Sequence, residues 1–278
     1  MNFKLSAMNC HYRFYEFEYF FATAKELGFK EVEIWTSPHH YFVDYNGYED
    51  PDKLRTLADK YGVKIICLCP EQTNPKPNNM AAKDENQKVR VRKYFKNMID
   101  IADTLKIKKV LVTSGWAFYN EVREDAWKRS VTMMRELCSY ALSKNITLCI
   151  EALQPYESRL VTDTVTMKQY LDDVLAANLK VCIDMGAMAK AEETIDDYFK
   201  MFKEDVVHVH FVDGHPCGHL AWGDGTRNMK EDLQALENHD YQGYLSLENA
   251  TDRYYENPKK ADKQSKYLFD SIVKGGKV

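Results

Sequence analysis

Eight short apolar segments recur along this chain, and a longer stretch with helical periodicity follows each one. The strand candidates are Phe3–Met8, Glu31–Trp35, Lys64–Leu68, Lys109–Thr113, Thr147–Glu151, Lys180–Asp184, Val206–Val212 and Tyr244–Glu248. Near-continuous apolar runs of this length suit parallel strands covered on both faces. The helical stretches are Glu16–Leu27, Pro51–Lys60, Asp84–Leu105, Glu121–Ser143, Val165–Ala177, Thr194–Lys203, Met229–Asn238 and Lys259–Lys274. Tyr94, Met98, Ile101 and Leu105 make one apolar stripe, and Val131, Met134, Leu137 and Ala141 another. Gly28 and Gly62 fall just past helix ends, where a left-handed residue is wanted. Strict alternation implies a parallel sheet with right-handed crossovers, and eight βα units close it into a (β/α)8 TIM barrel. An open doubly wound sheet is the competing architecture. The first βα turn, Asn9-Cys10-His11-Tyr12-Arg13, lacks the glycines that such a sheet uses to hold a dinucleotide.

No Pro/Gly/Ser-rich linker divides the 278 residues, so residues 1–278 are read as a single barrel domain. The longest irregular piece, Pro70 to Lys83, follows the third strand, on the face where barrels carry their active-site loops. Thirty-eight basic against 42 acidic side chains leave a net charge of -4, which gives no electrostatic footprint for nucleic acid. The basic run Lys88, Arg90, Arg92, Lys93 and Lys96 reads as a solvated helix face. No apolar run is long enough to span a bilayer, and no secretory leader is evident. Seven scattered cysteines, an odd number, suit reduced thiols and a cytoplasmic location.

In a barrel, chemistry belongs at the C-terminal ends of the strands. Strand five ends in Glu151, strand six in Asp184 and strand eight in Glu248, and strand seven carries His208 and His210. A buried unpaired carboxylate costs several kcal/mol. Three of them converging on one mouth need a positive charge, and no Arg or Lys stands at the matching strand ends. A divalent cation with three oxygen ligands and one nitrogen ligand answers this. His208 and His210 point to the same face, and His208 is assigned to core packing. The chain is 13% aromatic. Trp35, His39, Tyr41, Phe42, Trp116, Phe118, Tyr119 and Trp222 fall in expected loops after strands, where rings could stack on the C–H faces of a sugar. Arg159, Arg227 or Arg253 could meet a carboxylate on the substrate.

The motifs Ile150-Glu151-Ala152-Leu153-Gln154-Pro155-Tyr156-Glu157-Ser158, Val181-Cys182-Ile183-Asp184, His208-Val209-His210-Phe211-Val212-Asp213 and Leu247-Glu248 resemble the xylose isomerase-like TIM-barrel superfamily of sugar isomerases and epimerases. Val32-Glu33-Ile34-Trp35 with Pro38-His39, Pro70-Glu71-Gln72-Thr73-Asn74, Asn79-Met80, His219 and Gly223-Asp224-Gly225 are most similar to its fructoselysine 3-epimerase branch and related ketose 3-epimerases. The resemblance implies a metal site of Glu151, Asp184, His210 and Glu248, holding one divalent ion, Mn2+ first and Co2+, Mg2+, Ni2+ or Zn2+ as alternatives. It also implies Glu151 and Glu248 as the catalytic pair. Substrate contacts are implied for Glu157, Trp35, His39, Glu71, Asn74, Trp116 and His219. Ketohexose epimerases of this frame carry a His three residues after the metal-binding Asp, and here that position is Ala187. The expected activity is C3 epimerisation of a non-phosphorylated ketose or ketosamine through an enediolate. A dehydratase-type lyase on the same frame, with His219 helping to expel water, and a non-catalytic sugar-binding barrel are the alternatives. The expected partners are a small sugar or sugar-amine and further copies of the chain, as a dimer or larger, with no nucleic acid and no membrane.

Overall fold

The barrel closes. In a computed structural model, which describes residues 3–72 and 77–275, eight parallel strands pair in chain order, and the first pairs with the eighth. They are β1 (Lys4–Met8), β2 (Glu31–Thr36), β3 (Lys64–Pro70), β4 (Lys109–Val112), β5 (Thr147–Glu151), β6 (Leu179–Asp184), β7 (Val206–His210) and β8 (Tyr244–Leu247). The helices are α1 (Phe17–Glu26), α2 (Asp52–Tyr61), α3 (Glu85–Leu105), α4 (Arg123–Leu142), α5 (Thr164–Val174), α6 (Met185–Lys190), α7 (Ile195–Phe202), α8 (Met229–Asn238) and α9 (Pro258–Val273). No helix among the described residues is long and apolar enough to cross a membrane.

Period-two alternation separates two environments along each strand. Val32, Ile34, Leu68, Val110, Val112, Ile150, Ile183, Val209, Leu245 and Leu247 are buried in the large core shared with the helices. The α3 and α4 stripes complete that core: Tyr94, Met98, Ile101, Val131, Met134, Leu137 and Ala141 are all buried. Truncating one of these large side chains to Ala would cost about 2–5 kcal/mol. The other parity holds a separate cluster of Met8, Cys10, Cys67, Cys69, Leu111, Cys149 and Cys182, with Trp35 packed against it. Glu33, Glu151, Asp184, His208 and His210 share this second parity along their strands. A strand whose outward residues are Ile and Val can therefore deliver Glu, Asp or His to the barrel interior without disturbing the helix layer.

Three expectations differ in detail. β7 ends at His210 and not at Val212. Phe211, which follows, still donates its N–H to the Ser246 carbonyl of β8 at 2.7 Å, while its ring packs on Trp222 of the returning loop, whose indole N–H donates to the Phe211 carbonyl at 3.0 Å. A sixth helix, α6, starts directly after Asp184 and is too short to show periodicity in sequence. Tyr41 and Trp222, expected among the sugar-facing aromatics, are fully buried, and their polar atoms are spent on backbone carbonyls. The seven cysteines are all free thiols.

Candidate metal centre and active site

Four strand ends meet at the mouth of the barrel. Glu151 closes β5, Asp184 closes β6, His210 closes β7, and Glu248 follows β8. Each offers a donor atom, and the four donors lie within 4.8 Å of one another. His210 Nδ1 is 3.0 Å from Glu151 Oε2 and 2.9 Å from Glu248 Oε2. Yet both His210 Nδ1 and Glu151 Oε2 are buried without a hydrogen-bond partner. On its other side, His210 presents Nε2 to Glu33 Oε1 at 3.4 Å. A neutral imidazole that gives its Nε2–H to a carboxylate has a bare lone pair on Nδ1. That lone pair faces carboxylate oxygens, which is tolerable only with a proton or a cation between them. The donor set, three hard oxygens and one imidazole nitrogen, fits a divalent cation of the Mn2+, Co2+ or Zn2+ kind.

The electrostatics agree. Burial pushes the Glu151 carboxyl up to about 8. Burial alone would raise Glu248 as well, but His210 and His219 outweigh it and hold that carboxyl well below the usual range. Burial also disfavours the His210 imidazolium, and Glu248, Glu33 and Glu151 override it, so the metal-free ring stays protonated well above its ordinary range. A proton thus occupies the ground that a cation would otherwise hold.

Glu33, in the Val32-Glu33-Ile34-Trp35 motif, stands behind His210. It is fully buried on β2, with Oε2 2.6 Å from His208 Nε2 and Oε1 toward His210. Burial raises its carboxyl, and the two imidazoles more than compensate, leaving it ionised. One carboxylate therefore orients both histidines of β7, and His208 takes the hydrogen-bonded core role expected of it. The available signal was parity: Glu33 sits two residues before Trp35, on the inward-facing side of β2.

His219 reaches the cluster from the loop between β7 and α8. Its Nε2 is 3.0 Å from Asp184 Oδ2 and 3.4 Å from Glu248 Oε2. Asp213 fixes this loop, accepting backbone N–H bonds from Gly223, Gly225 and Arg227 at 2.9–3.0 Å. Asp184 divides its oxygens: Oδ2 faces His219, and Oδ1 accepts from Ala187 N at 2.8 Å as the N-cap of α6.

Glu157 and Trp116 line one cleft of about 340 Å3 beside the mouth. Burial raises the Glu157 carboxyl, and Asp184, His219 and Glu248 all act on it electrostatically. Trp35 lies at the mouth with the Arg13 guanidinium 5.0 Å from its ring. Glu71 is buried and lines a neighbouring hollow with Thr36, Arg90 and Tyr94. His39 is exposed, stands against His40, and lines a separate surface cleft with Phe17 and Asp50. Asn74 lies outside the described residues.

A family profile described as "Xylose isomerase-like TIM barrel" matches residues 21–270. The chain belongs to the xylose isomerase-like TIM-barrel family. It is 28% identical over 272 residues to a fructoselysine 3-epimerase of Shigella flexneri, covering 97% of this chain and 98% of the relative. It is 22% identical to a D-psicose 3-epimerase of Ruminiclostridium cellulolyticum, covering 84% of this chain and 78% of that one. Among solved structures, the 3-keto-D-glucoside 4-epimerase of E. coli superposes with a TM-score of 0.81 at 17% identity, covering 97% of this chain and 100% of that one. The D-psicose 3-epimerase of Clostridium cellulolyticum superposes at 0.79 and 17%, covering 97% and 98%. The Ala187 side chain is a methyl group with no donor for the site; its backbone N–H donates to the capping Asp184, and the imidazole beside Asp184 comes from His219.

Proposed function

We propose that this protein is a metal-dependent sugar epimerase that inverts C3 of a non-phosphorylated ketose or of a ketosamine of the fructoselysine type. The observation that carries the reading is the pair Glu151 and Glu248. Their carboxylates stand 3.0 and 2.9 Å from one nitrogen, His210 Nδ1, and come from strands β5 and β8 on either side of β6 and β7. A proton on the carbon beside a ketone is a weak acid, and its removal leaves a planar enediolate. Epimerisation then needs two proton-transfer groups, one for each face of that plane.

Glu151, Asp184, His210 and Glu248 would hold the ion, with Mn2+ the first choice. Bound there, a divalent cation supplies the charge that stabilises the developing oxyanions. The chain's own residues do the rest. Glu151 and Glu248 take and return the proton, and they exchange roles for the reverse reaction. Asp184 and His210 fix the centre of the site, and Glu33 fixes His210. His219, held by Asp184 and Glu248, faces the carbonyl end of the sugar together with Glu157. Arg227 is paired with Asp232 at 2.8 Å and Arg253 reaches Asp224 at 3.5 Å, so neither is free to clamp a phosphate. The free thiols suit a cytoplasmic setting.

A lyase reading rests on His219, a group placed where it could protonate a departing hydroxyl. Incubating the Mn2+-loaded protein with fructoselysine, psicose, fructose and tagatose separates the two. The account expects an isomer of unchanged mass, with its C3 centre inverted. A product lighter by one water would replace the epimerase reading with the lyase one, and no product from any of the four would overturn both.

A further inference from the structure

The cleft beside the cluster has more in it than a sugar needs. One wall is the loop after β4, with Trp116, Phe118 and Tyr119, and the other is the loop after β5, from Pro155 to Arg159. Both walls are braced. The Asn79 side chain accepts from Trp116 N and donates to Trp116 O, both at 2.9 Å. Ser158 Oγ donates to the Gly115 carbonyl at 2.7 Å, tying the two loops together. Gly115 has φ +71, and a Cβ there would come within 2.3 Å of Asn79 Oδ1, so the brace requires glycine. Arg123 anchors the Arg159 carbonyl at 2.6 Å.

Polar and charged groups stand along this fixed cleft. The Trp116 indole N–H is buried and has no hydrogen-bond partner. The Arg159 guanidinium lies 5.5 Å from the Tyr119 ring and donates one hydrogen bond, to the Phe118 carbonyl. No carboxylate pairs with it among the described residues, unlike Arg227 and Arg253. At the inner end of the cleft stands the Glu157 carboxylate, electrostatically coupled to Asp184 and Glu248. Acid inside, aromatic walls and a cation outside form a sequence along the cleft. A substituent carrying an amine, an apolar stem and a terminal carboxylate would match it in that order.

We propose that the cleft between Trp116 and Arg159 is a second subsite, which receives an amino-acid substituent on the sugar and binds its carboxylate through Arg159. This deepens the functional reading above and rests on it for the identity of the sugar. In the bound substrate, Glu157 faces the linking amine, the stem lies against Trp116 and Tyr119, and the guanidinium closes on the carboxylate in a charge-assisted pair. Arg159 is a specificity residue here and takes no part in proton transfer.

The test compares two probes on the Mn2+-loaded protein, fructoselysine and the same sugar joined to 1,5-diaminopentane, which lacks only the carboxylate. Affinity is read by calorimetry and turnover by NMR. The wild type should bind fructoselysine at least about tenfold more tightly, the effect expected of one hydrogen-bonded charge pair. Arg159→Ala should erase that difference by raising KM for fructoselysine, leaving the diaminopentane adduct and free psicose unaffected. Arg159→Lys should recover part of it. Equal affinity of the wild type for both probes, equal losses on both in Arg159→Ala, or no binding of either probe would overturn the subsite. Discriminating binding without turnover would support the subsite and sink the epimerase reading instead.

Discussion

Glu33 Oε1 lies 3.4 Å from Nε2 of His210, on the side of the ring facing away from Glu151 and Glu248. The imidazole is thereby held between a buried carboxylate and the proposed metal ligands Glu151 and Glu248. Outer partners of this kind fix the tautomer and the basicity of the ligand. Glu33→Gln keeps the volume but loses the charge, and it should weaken metal binding about 10- to 100-fold. Chelator competition measures this directly. A far-UV spectrum like the wild type's would show that the barrel itself had survived.

Metal affinity should rise with pH. In the metal-free protein, burial pushes Glu151 up to about 8, and the neighbouring carboxylates keep His210 protonated well above its usual range. Both protons must leave when the donors ligate a cation. Groups whose pKa is raised in the metal-free state compete with the metal below that pKa and cease to compete above it. Affinity measured on the acid side of 8 should therefore be lower than on the alkaline side, and binding should release protons to the buffer. Calorimetry in buffers of different ionisation enthalpy reads that release.

Removing the metal should also cost stability, because the cation binds the folded cluster and not the unfolded chain. At a hundred times Kd the gain is about 2.7 kcal/mol. For a chain of this size that is about 5 °C in the unfolding midpoint. Thermal melts in EDTA and in excess Mn2+ test it, and identical midpoints would argue against the site.

Gly186 packs where the first turn of α6 meets the loop carrying His219. A Cβ there would lie 2.9 Å from the Gly218 carbonyl oxygen, 3.1 Å from Asp184 Oδ1 and 3.1 Å from His219 Cε1. Gly186→Ala should push His219 off Asp184. Turnover should fall about tenfold or more, since small misplacements at a reacting centre are costly, and metal affinity should change less. Unaltered kcat and KM would show that His219 has no positioning part in the reaction.

The barrel was legible because its signals are local and repeated. Each β segment is an apolar run long enough to read, and helices as long as α3 and α4 show their stripes over several turns. Glu151, Asp184 and Glu248 stood out because an acid ending an apolar run is costly unless something repays it. Glu33 did not stand out. Glu31-Val32-Glu33 reads as an alternating, half-exposed strand start, and only the closed barrel reveals that Glu31 is partly exposed and Glu33 fully buried. The pairing of His219 with Asp184 bridges 35 residues through a loop whose shape depends on Asp213. No local pattern encodes such a contact. Trp222 went the other way: a loop tryptophan looks like a sugar platform until its N–H is found buried on the Phe211 carbonyl.

In the proposed reaction, Glu151 and Glu248 exchange a substrate proton on opposite faces of a planar intermediate. The most direct measurement follows solvent deuterium during turnover of the Mn2+-loaded protein in D2O. One deuteron is expected at C3 of the epimerised product. Epimerisation that leaves the original hydrogen in place would contradict it.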